Sequence, residues 1–301
     1  MNYHIPVMLK ECINGLNIKP DGTYVDLTFG GGGHSKSILN KLSLKGSLYS
    51  FDVDEDVLKN VGLIRNKSFH FIKANFRFFR NFLKLNGLEK VDGIIADLGL
   101  SSHQIDSEKR GFSFRGKNFL DMRMNLNLTF SATDLLNNYN LEKLINVFSK
   151  YGEIRNSIQL ANSIIKNRTK KKIKTNIDLI NIIKSFANRN KENKYYSQVF
   201  QALRIEINDE INALKDLLIQ SPPSLNDNGR LVIVSYHSLE DRLVKNFIKK
   251  GNFLGQPEKD LYGNEKLFFK SINKKPITPK LDEIENNPRA RSAKLRIGEL
   301  I

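Results

Sequence analysis

The densest chemistry in the sequence is the run Asp26-Leu-Thr-Phe-Gly-Gly-Gly-Gly-His34. Consecutive glycines let a backbone turn sharply and come within contact distance of a ligand, which a Cβ would obstruct. The run is not G-x-G-x-x-G, because Ser35 stands where that pattern wants Gly or Ala, and it is not G-x-x-x-x-G-K-[ST]. A small nucleoside ligand therefore fits it better than a dinucleotide or a triphosphate. Asp52, 20 residues after Gly32, offers a carboxylate that can accept both hydroxyls of an adenosine ribose, with Asp54 as the competing position. Asp97 opens Asp97-Leu-Gly-Leu-Ser-Ser-His103, where G-x-S-x-G fails at His103, so a serine hydrolase is a poor reading. Ser235-Tyr-His-Ser-Leu-Glu-Asp-Arg242 gathers polar and aromatic groups. A helix N-terminus capped by Ser238 would account for Glu240 and Asp241 but not for Tyr236 and His237, so His237 is kept as a candidate site residue.

These residues need a scaffold that brings them to one edge. Segments 23–27, 47–51, 68–73 and 91–96 read as strands, alternating with helical patterns at 34–42, from Glu55, and at 76–85. Such alternation predicts a parallel sheet with helices on both faces. Ligands of open parallel sheets bind beyond the carboxyl ends of the strands, where Asp26, Asp52 and Asp97 all fall. The pattern changes after Asp97: 101–127 is rich in Gly, Ser, Arg and Phe without a period, and 131–183 is helical. It then resumes with a long helix at 200–218, a loop at 221–229, a buried strand at 230–235, a helix at 241–250, and two late strands at 266–272 and 293–297, expected to be an antiparallel pair. Five parallel strands plus such a pair is the outline of a class I methyltransferase (Rossmann-like) sheet. The expected organisation is α/β: residues 1–108 and 200–301 form the core, and 109–199 an inserted all-helical domain.

The chain has 301 residues, 40% hydrophobic and 27% charged, which is ordinary globular usage and excludes a disordered chain. One cysteine, Cys12, excludes a disulfide framework and a Cys-based zinc or iron–sulfur site within one chain. No run approaches 18 apolar residues, and the start lacks a basic segment ahead of an apolar core, so the expectation is a cytoplasmic protein with no membrane span. The formal charge is +16, and 109–199 holds 18 Lys+Arg against 6 Asp+Glu, a net of +12. A basic excess concentrated in under a third of the chain is the electrostatic footprint of nucleic-acid binding. Lysine bias in the source proteome would have spread it evenly.

Eight segments in order carry a resemblance: HIPVML (4–9), DLTFGGGGHS (26–35), DLGLSSHQID (97–106), RGFSFR (110–115), LDMRMN (120–125), FQALRIEIN (200–208), SYHSLEDR (235–242) and NPRARSAKLR (287–296). Together they resemble the 16S rRNA cytosine-N4 methyltransferase family, RsmH (also called MraW), over almost the whole chain. The resemblance implies a methyltransferase dependent on S-adenosyl-L-methionine that acts on the cytidine at position 1402 of 16S rRNA, in the decoding region of the small ribosomal subunit. It places cofactor contacts on Gly32, Gly33, His34, Asp52, Phe76, Asp97 and Gln104, and makes Asp97 the candidate acceptor for a substrate N–H. No metal is required for this chemistry. Phe112, Phe114 and Arg115 are candidate base-stacking partners, with packing between domains the alternative for the two phenylalanines, and Lys170, Lys171 and Lys172 are the expected phosphate contacts. The sequence departs from the family before FQALR, with Lys194-Tyr-Tyr-Ser-Gln-Val199 in place of HPATRT, and at His103, where the family often has proline. The rival readings are a non-catalytic RNA-binding protein on the same scaffold, and an amino-methyltransferase acting on another nucleic acid.

Overall fold

The structure, a computed structural model, describes residues 6–301; His4 and Ile5 of the HIPVML segment lie outside the described residues. The chain divides into two compact units, one made of Met1–Gly99 with Ile211–Ile301, the other of Leu100–Glu210.

The first unit is built on a sheet of β1 (Thr23–Asp26), β2 (Ser47–Asp52), β3 (Phe69–Lys73), β4 (Val91–Asp97), β5 (Leu225–Ser235), β6 (Phe269–Ser271) and β7 (Lys294–Leu300), in the order 3-2-1-4-5-7-6. β1 to β5 are parallel, and β7 runs antiparallel to both β5 and β6. Helices α1 (Leu9–Leu16), α2 (Gly33–Leu39), α3 (Leu58–Val61) and α4 (Phe79–Leu85) accompany the first four strands. The helices expected at Glu55 and Phe76 begin as single 3-10 turns, where Asp54 and Asn75 side chains accept from the N–H groups of Asp56 and Arg77.

Alternation along the central strands explains their unbroken apolar runs. Leu231 and Ile233 of β5 join one buried cluster with Phe79, Leu83, Leu217 and Phe247, while Val232 and Val234 join another with Cys12, Leu16, Ile38 and Leu295. Both faces of the sheet are covered, so neither can carry the polar half of an alternating pattern. The loop expected at 221–229 is partly strand: β5 begins at Leu225, and its register with β4 shifts between Val91 and Gly93. Asn228, at φ +62°, sits in this irregularity, so the turn signal marked a bulge.

The second unit contains α5 (Ser102–Asp106), α6 (Ala132–Asn138), α7 (Leu141–Lys150), α8 (Ser157–Arg168), α9 (Asn176–Ile183) and α10 (Glu192–Asn208) around a core that includes Phe148, Leu160, Ile164, Leu179 and Leu203. Ser131 and Thr175 close capping boxes with Asp134 and Asp178. Each such cap contributes on the order of 1 kcal/mol. Arg168, the last residue of α8, donates to the carbonyls of Leu136 (2.9 Å) and Tyr139 (2.6 Å), satisfying the end of α6.

The chain returns to the sheet through α11 (Glu210–Gln220), α12 (Ser238–Lys250) and α13 (Leu281–Asn286). The single helix expected at 200–218 is thus two, broken at Asp209 with φ +50°. The expected domain limits of 109 and 199 both fall inside the second unit. Its core takes in Phe112, and at the other end Phe200, Leu203 and Ile207 of the continuous helix α10, so hydrophobic burial draws the limits outward to Leu100 and Glu210.

Candidate active site

The site grows from the ends of the parallel strands. Asp26, last in β1, is buried; its Oδ2 accepts from Ser35 Oγ at 2.6 Å and its Oδ1 from the Thr28 N–H at 3.1 Å. Ser35 Oγ also lies 2.9 Å from Ser50 Oγ, so this network fastens the start of α2 to β2. Burial pushes the Asp26 pKa up to about 6 against the opposing pull of the Ser35 hydrogen bond. Asp26 therefore holds the loop through these bonds.

The glycine loop divides by function. Gly32, at φ +76°, sits where a side chain is strained, and a Cβ there would come 2.9 Å from the Phe29 ring, while one on Gly33 would come 2.1 Å from Pro6. At Gly30 and Gly31 no heavy atom lies within 4 Å of a Cβ position. The resemblance pointed to Gly32 and Gly33; the open face of the loop is at Gly30 and Gly31. Asp52 ends β2 beside it. Its Oδ2 accepts from the Gly30 N–H at 2.8 Å and its Oδ1 from the Asp54 N–H at 2.9 Å. Each carboxylate oxygen keeps acceptor capacity after one such bond. Burial raises the Asp52 pKa, opposed by those backbone hydrogen bonds.

Asp97 stands at the end of β4. Its backbone N–H donates to Thr28 Oγ1 at 2.7 Å, which ties it to the loop after β1. Its Oδ1 accepts from the Tyr236 hydroxyl at 2.8 Å, and its Oδ2 lies 3.9 Å from His34 Nδ1. Burial pushes the Asp97 pKa up to about 7, with the Tyr236 hydrogen bond pulling down and Asp26, Glu240 and Glu283 pushing up. Burial, then Asp97, raises the Tyr236 phenol far above its ordinary value, so it stays a donor. Sequence reasoning left Tyr236 without a role. The pairing of Asp97 with Val234 in register carries it there, two residues beyond on the neighbouring strand.

His237, expected as a site residue, is the N-cap of α12 in place of Ser238: its Nδ1 accepts from the Glu240 N–H at 3.4 Å, and its Nε2 lies 3.1 Å from Glu240 Oε1. Glu240 Oε2 accepts from the Tyr236 N–H at 2.9 Å and thereby sets the backbone that aims the phenol. Asp241 is held by Arg296 (2.6 Å) and Lys294 (3.2 Å), which gives the NPRARSAKLR segment a structural role, clamping β7 to α12. Phe76 lies in the 3-10 turn after β3, partly buried against the core.

Within the second unit, Gln104 is buried and closes the capping box of α5 with Ser101. Phe112 and Phe114 do not offer free faces for stacking. Phe112 is 7% exposed in the core, and Phe114 meets Tyr196 and Phe200 edge-on at 5.9 and 6.0 Å. Arg115 is exposed. In the departing segment, Gln198 donates to the Gly152 carbonyl and Tyr195 to Asn156, so both serve the helical core.

An uncrowded glycine face beside an acceptor carboxylate suits an adenosine carrying an amino-acid tail, and the glycine loop (Gly30 to Gly33), His34 and Asp52 are the residues here that could hold one. A five-strand parallel sheet extended by an antiparallel seventh strand, with its ligand cradle on the first loop, is the arrangement of class I S-adenosylmethionine-dependent methyltransferases, and this chain is one of them. It belongs to the MraW methylase family, whose profile matches residues 1–301. The ribosomal RNA small subunit methyltransferase H of Cytophaga hutchinsonii is 53% identical over 297 residues, covering 99% of each chain. Its counterpart in Parabacteroides distasonis is 52% identical over 300 residues, 99% of this chain and 98% of that one. That of Amoebophilus asiaticus is 51% identical over 297 residues, 99% and 96%. Among the described residues, no helix is long and apolar enough to cross a membrane.

Proposed function

We propose that the protein methylates the exocyclic amino nitrogen of the cytidine at position 1402 of 16S rRNA, with S-adenosylmethionine as donor, in the cytoplasm. The end-to-end match to relatives named for small-subunit rRNA methylation carries this reading. Asp52 would take the ribose hydroxyls of the donor and the glycine loop and His34 would hold its tail, with Phe76 and Gln104 the further contacts that the resemblance assigns. The bound donor supplies a methyl already activated on a sulfonium, so the protein's task is positioning, with the amino nitrogen held about 3–3.5 Å from that carbon.

Asp97 does the local work. The cytosine amino lone pair is delocalised into the ring, and an acceptor on its N–H draws the nitrogen toward tetrahedral geometry and stabilises the developing positive charge. A carboxyl with a pKa near 7 accepts that proton close to neutrality. Tyr236 fixes Oδ1 and leaves acceptor capacity on the carboxylate. The base must leave its stack to arrive there, and the basic helical unit supplies phosphate contacts for the flanking RNA.

Mass spectrometry of 16S rRNA nucleosides after incubation with enzyme and donor tests the reading. N4-methylcytidine at position 1402 is expected; methylation elsewhere, or none on naked RNA and on small subunits alike, would overturn it.

A further inference from the structure

The positive charge of this chain sits in two places, only one of which lies in the helical unit. Residues 245–280 hold nine lysines against three acidic residues, a net of +6. With the +12 of 109–199 removed as well, the rest of the chain nets −2. This second basic segment belongs to the sheet unit and runs from the end of α12 through a hairpin to the edge strand β6.

The hairpin is a built structure. Its arms bridge at Lys259 and Glu265, and the Lys266 N–H donates to the Glu258 carbonyl at 2.8 Å. Asp260 Oδ1 accepts from the N–H groups of Tyr262 and Asn264, each at 2.9 Å, which fixes the turn. Its base is anchored by a stack of rings: Phe247, buried, lies 5.3 Å from Phe253 and 5.7 Å from Phe268, both nearly parallel to it. Yet what this scaffolding displays at its tip is apolar: Leu261 and Tyr262 are 101% and 91% exposed. Around them Lys259, Lys266, Lys270, Lys274 and Lys275 are exposed as well. An ordered turn that holds an aromatic ring in solvent amid lysines has the components of single-stranded nucleic-acid binding, a stacking face with phosphate-binding cations around it.

Resting on the rRNA reading above, we propose that the 258–275 hairpin and edge strand form a second RNA-binding surface, on the catalytic unit itself, in which Tyr262 stacks on an unpaired base and Lys259, Lys266 and Lys270 contact phosphates. RNA is favoured over a protein partner because the segment is strongly cationic, with nine lysines against three acidic residues over 245–280, and because an aromatic ring held in solvent among phosphate-binding cations is what an unpaired base stacks on.

Binding of naked 16S rRNA and of intact small subunits is measured over a salt series for the wild type, for a Lys259→Gln/Lys266→Gln/Lys270→Gln variant, and for Tyr262→Ala and Tyr262→Phe. Each lost phosphate contact lowers the slope of log affinity against log salt by roughly 0.7–0.9, so the triple variant is expected to lose about 2 from the wild-type slope. Tyr262→Ala is expected to weaken binding roughly ten-fold and Tyr262→Phe to keep it. Donor affinity by calorimetry stays at the wild-type value in all variants, which separates RNA contact from misfolding. Unchanged RNA affinity and slope would overturn the proposal, and so would a loss seen on subunits but absent on naked rRNA, which would assign the surface to a ribosomal protein. If the wild type itself methylates neither substrate, it is the rRNA reading that fails.

Discussion

In the proposed reaction Asp97 is the residue on which the chemistry turns, and its environment makes opposite demands on catalysis and stability. Its raised pKa comes chiefly from burial, with Tyr236 partly offsetting it. A carboxyl whose folded pKa lies above its unfolded value contributes stability that is full below about pH 4 and is lost as pH rises through about 7. Asp97→Asn keeps the Tyr236 hydrogen bond and removes the buried charge. The variant is therefore expected to match the wild type in denaturant melts near pH 4 and to exceed it at pH 8, by up to about 4 kcal/mol. Its methyl-transfer rate should fall about 100-fold or more, and the wild-type rise in rate through pH 7 should disappear. An Asp97→Asn enzyme with the wild-type pH–rate profile would remove Asp97 from the chemistry. Asp52 differs from it in kind: both its oxygens already hold backbone N–H groups, so its carboxylate shapes the loop.

At the scale of elements, the loop between β1 and α2 separates the demands of folding from those of binding. Gly32 is favoured by the chain itself, since its φ is +76° and the Phe29 ring lies 2.9 Å from the Cβ position. Gly31 has an ordinary φ and open space. Gly32→Ala should accordingly cost on the order of 1–3 kcal/mol in thermal or denaturant unfolding. Gly31→Ala should unfold within about 0.5 kcal/mol of the wild type while losing donor affinity by calorimetry. If Gly31→Ala binds the donor normally, the open face is not the cradle. The break at Asp209 works in the same local way: α10 and α11 read as one periodic helix, but Asn208 turns its side chain to the Met122 carbonyl (2.8 Å) and the Met124 N–H (2.7 Å), and the chain steps out of the helix next to it.

At the scale of the whole molecule, charge and fold are separately organised. Residues 109–199 of the helical unit net +12 of the +16, yet several of their cations serve the fold: Arg110 donates to the carbonyls of Arg123 and Met124, Arg168 caps α6, and Lys171 pairs with Asp178 at 2.8 Å. Exposed Lys170 and Lys172 are better candidates for phosphate contact than Lys171. Neutralising both to Gln should reduce the salt slope of rRNA binding by roughly 1.5 without altering the melt. A slope equal to the wild type would take this end of α8 out of the RNA-binding surface.

The sequence by itself determined the strand–helix alternation, the ligand loop, the carboxylates at the strand ends and the family, because each is written in local residue type and spacing. Burial patterns of period two and runs of glycine need no distant partner to be read. What only the tertiary structure decided depended on residues far apart in the chain. Tyr236 reaches Asp97 because β5 lies beside β4, His237 is the cap of a helix, and Phe112 and Phe114 pack with a core assembled from helices distant in the chain. The open glycines are distinguished from the crowded ones by Phe29 and Pro6, and Asp97 is set near neutrality by burial. Contact across the sheet and exclusion of water are properties of the folded chain, and no local pattern encodes them.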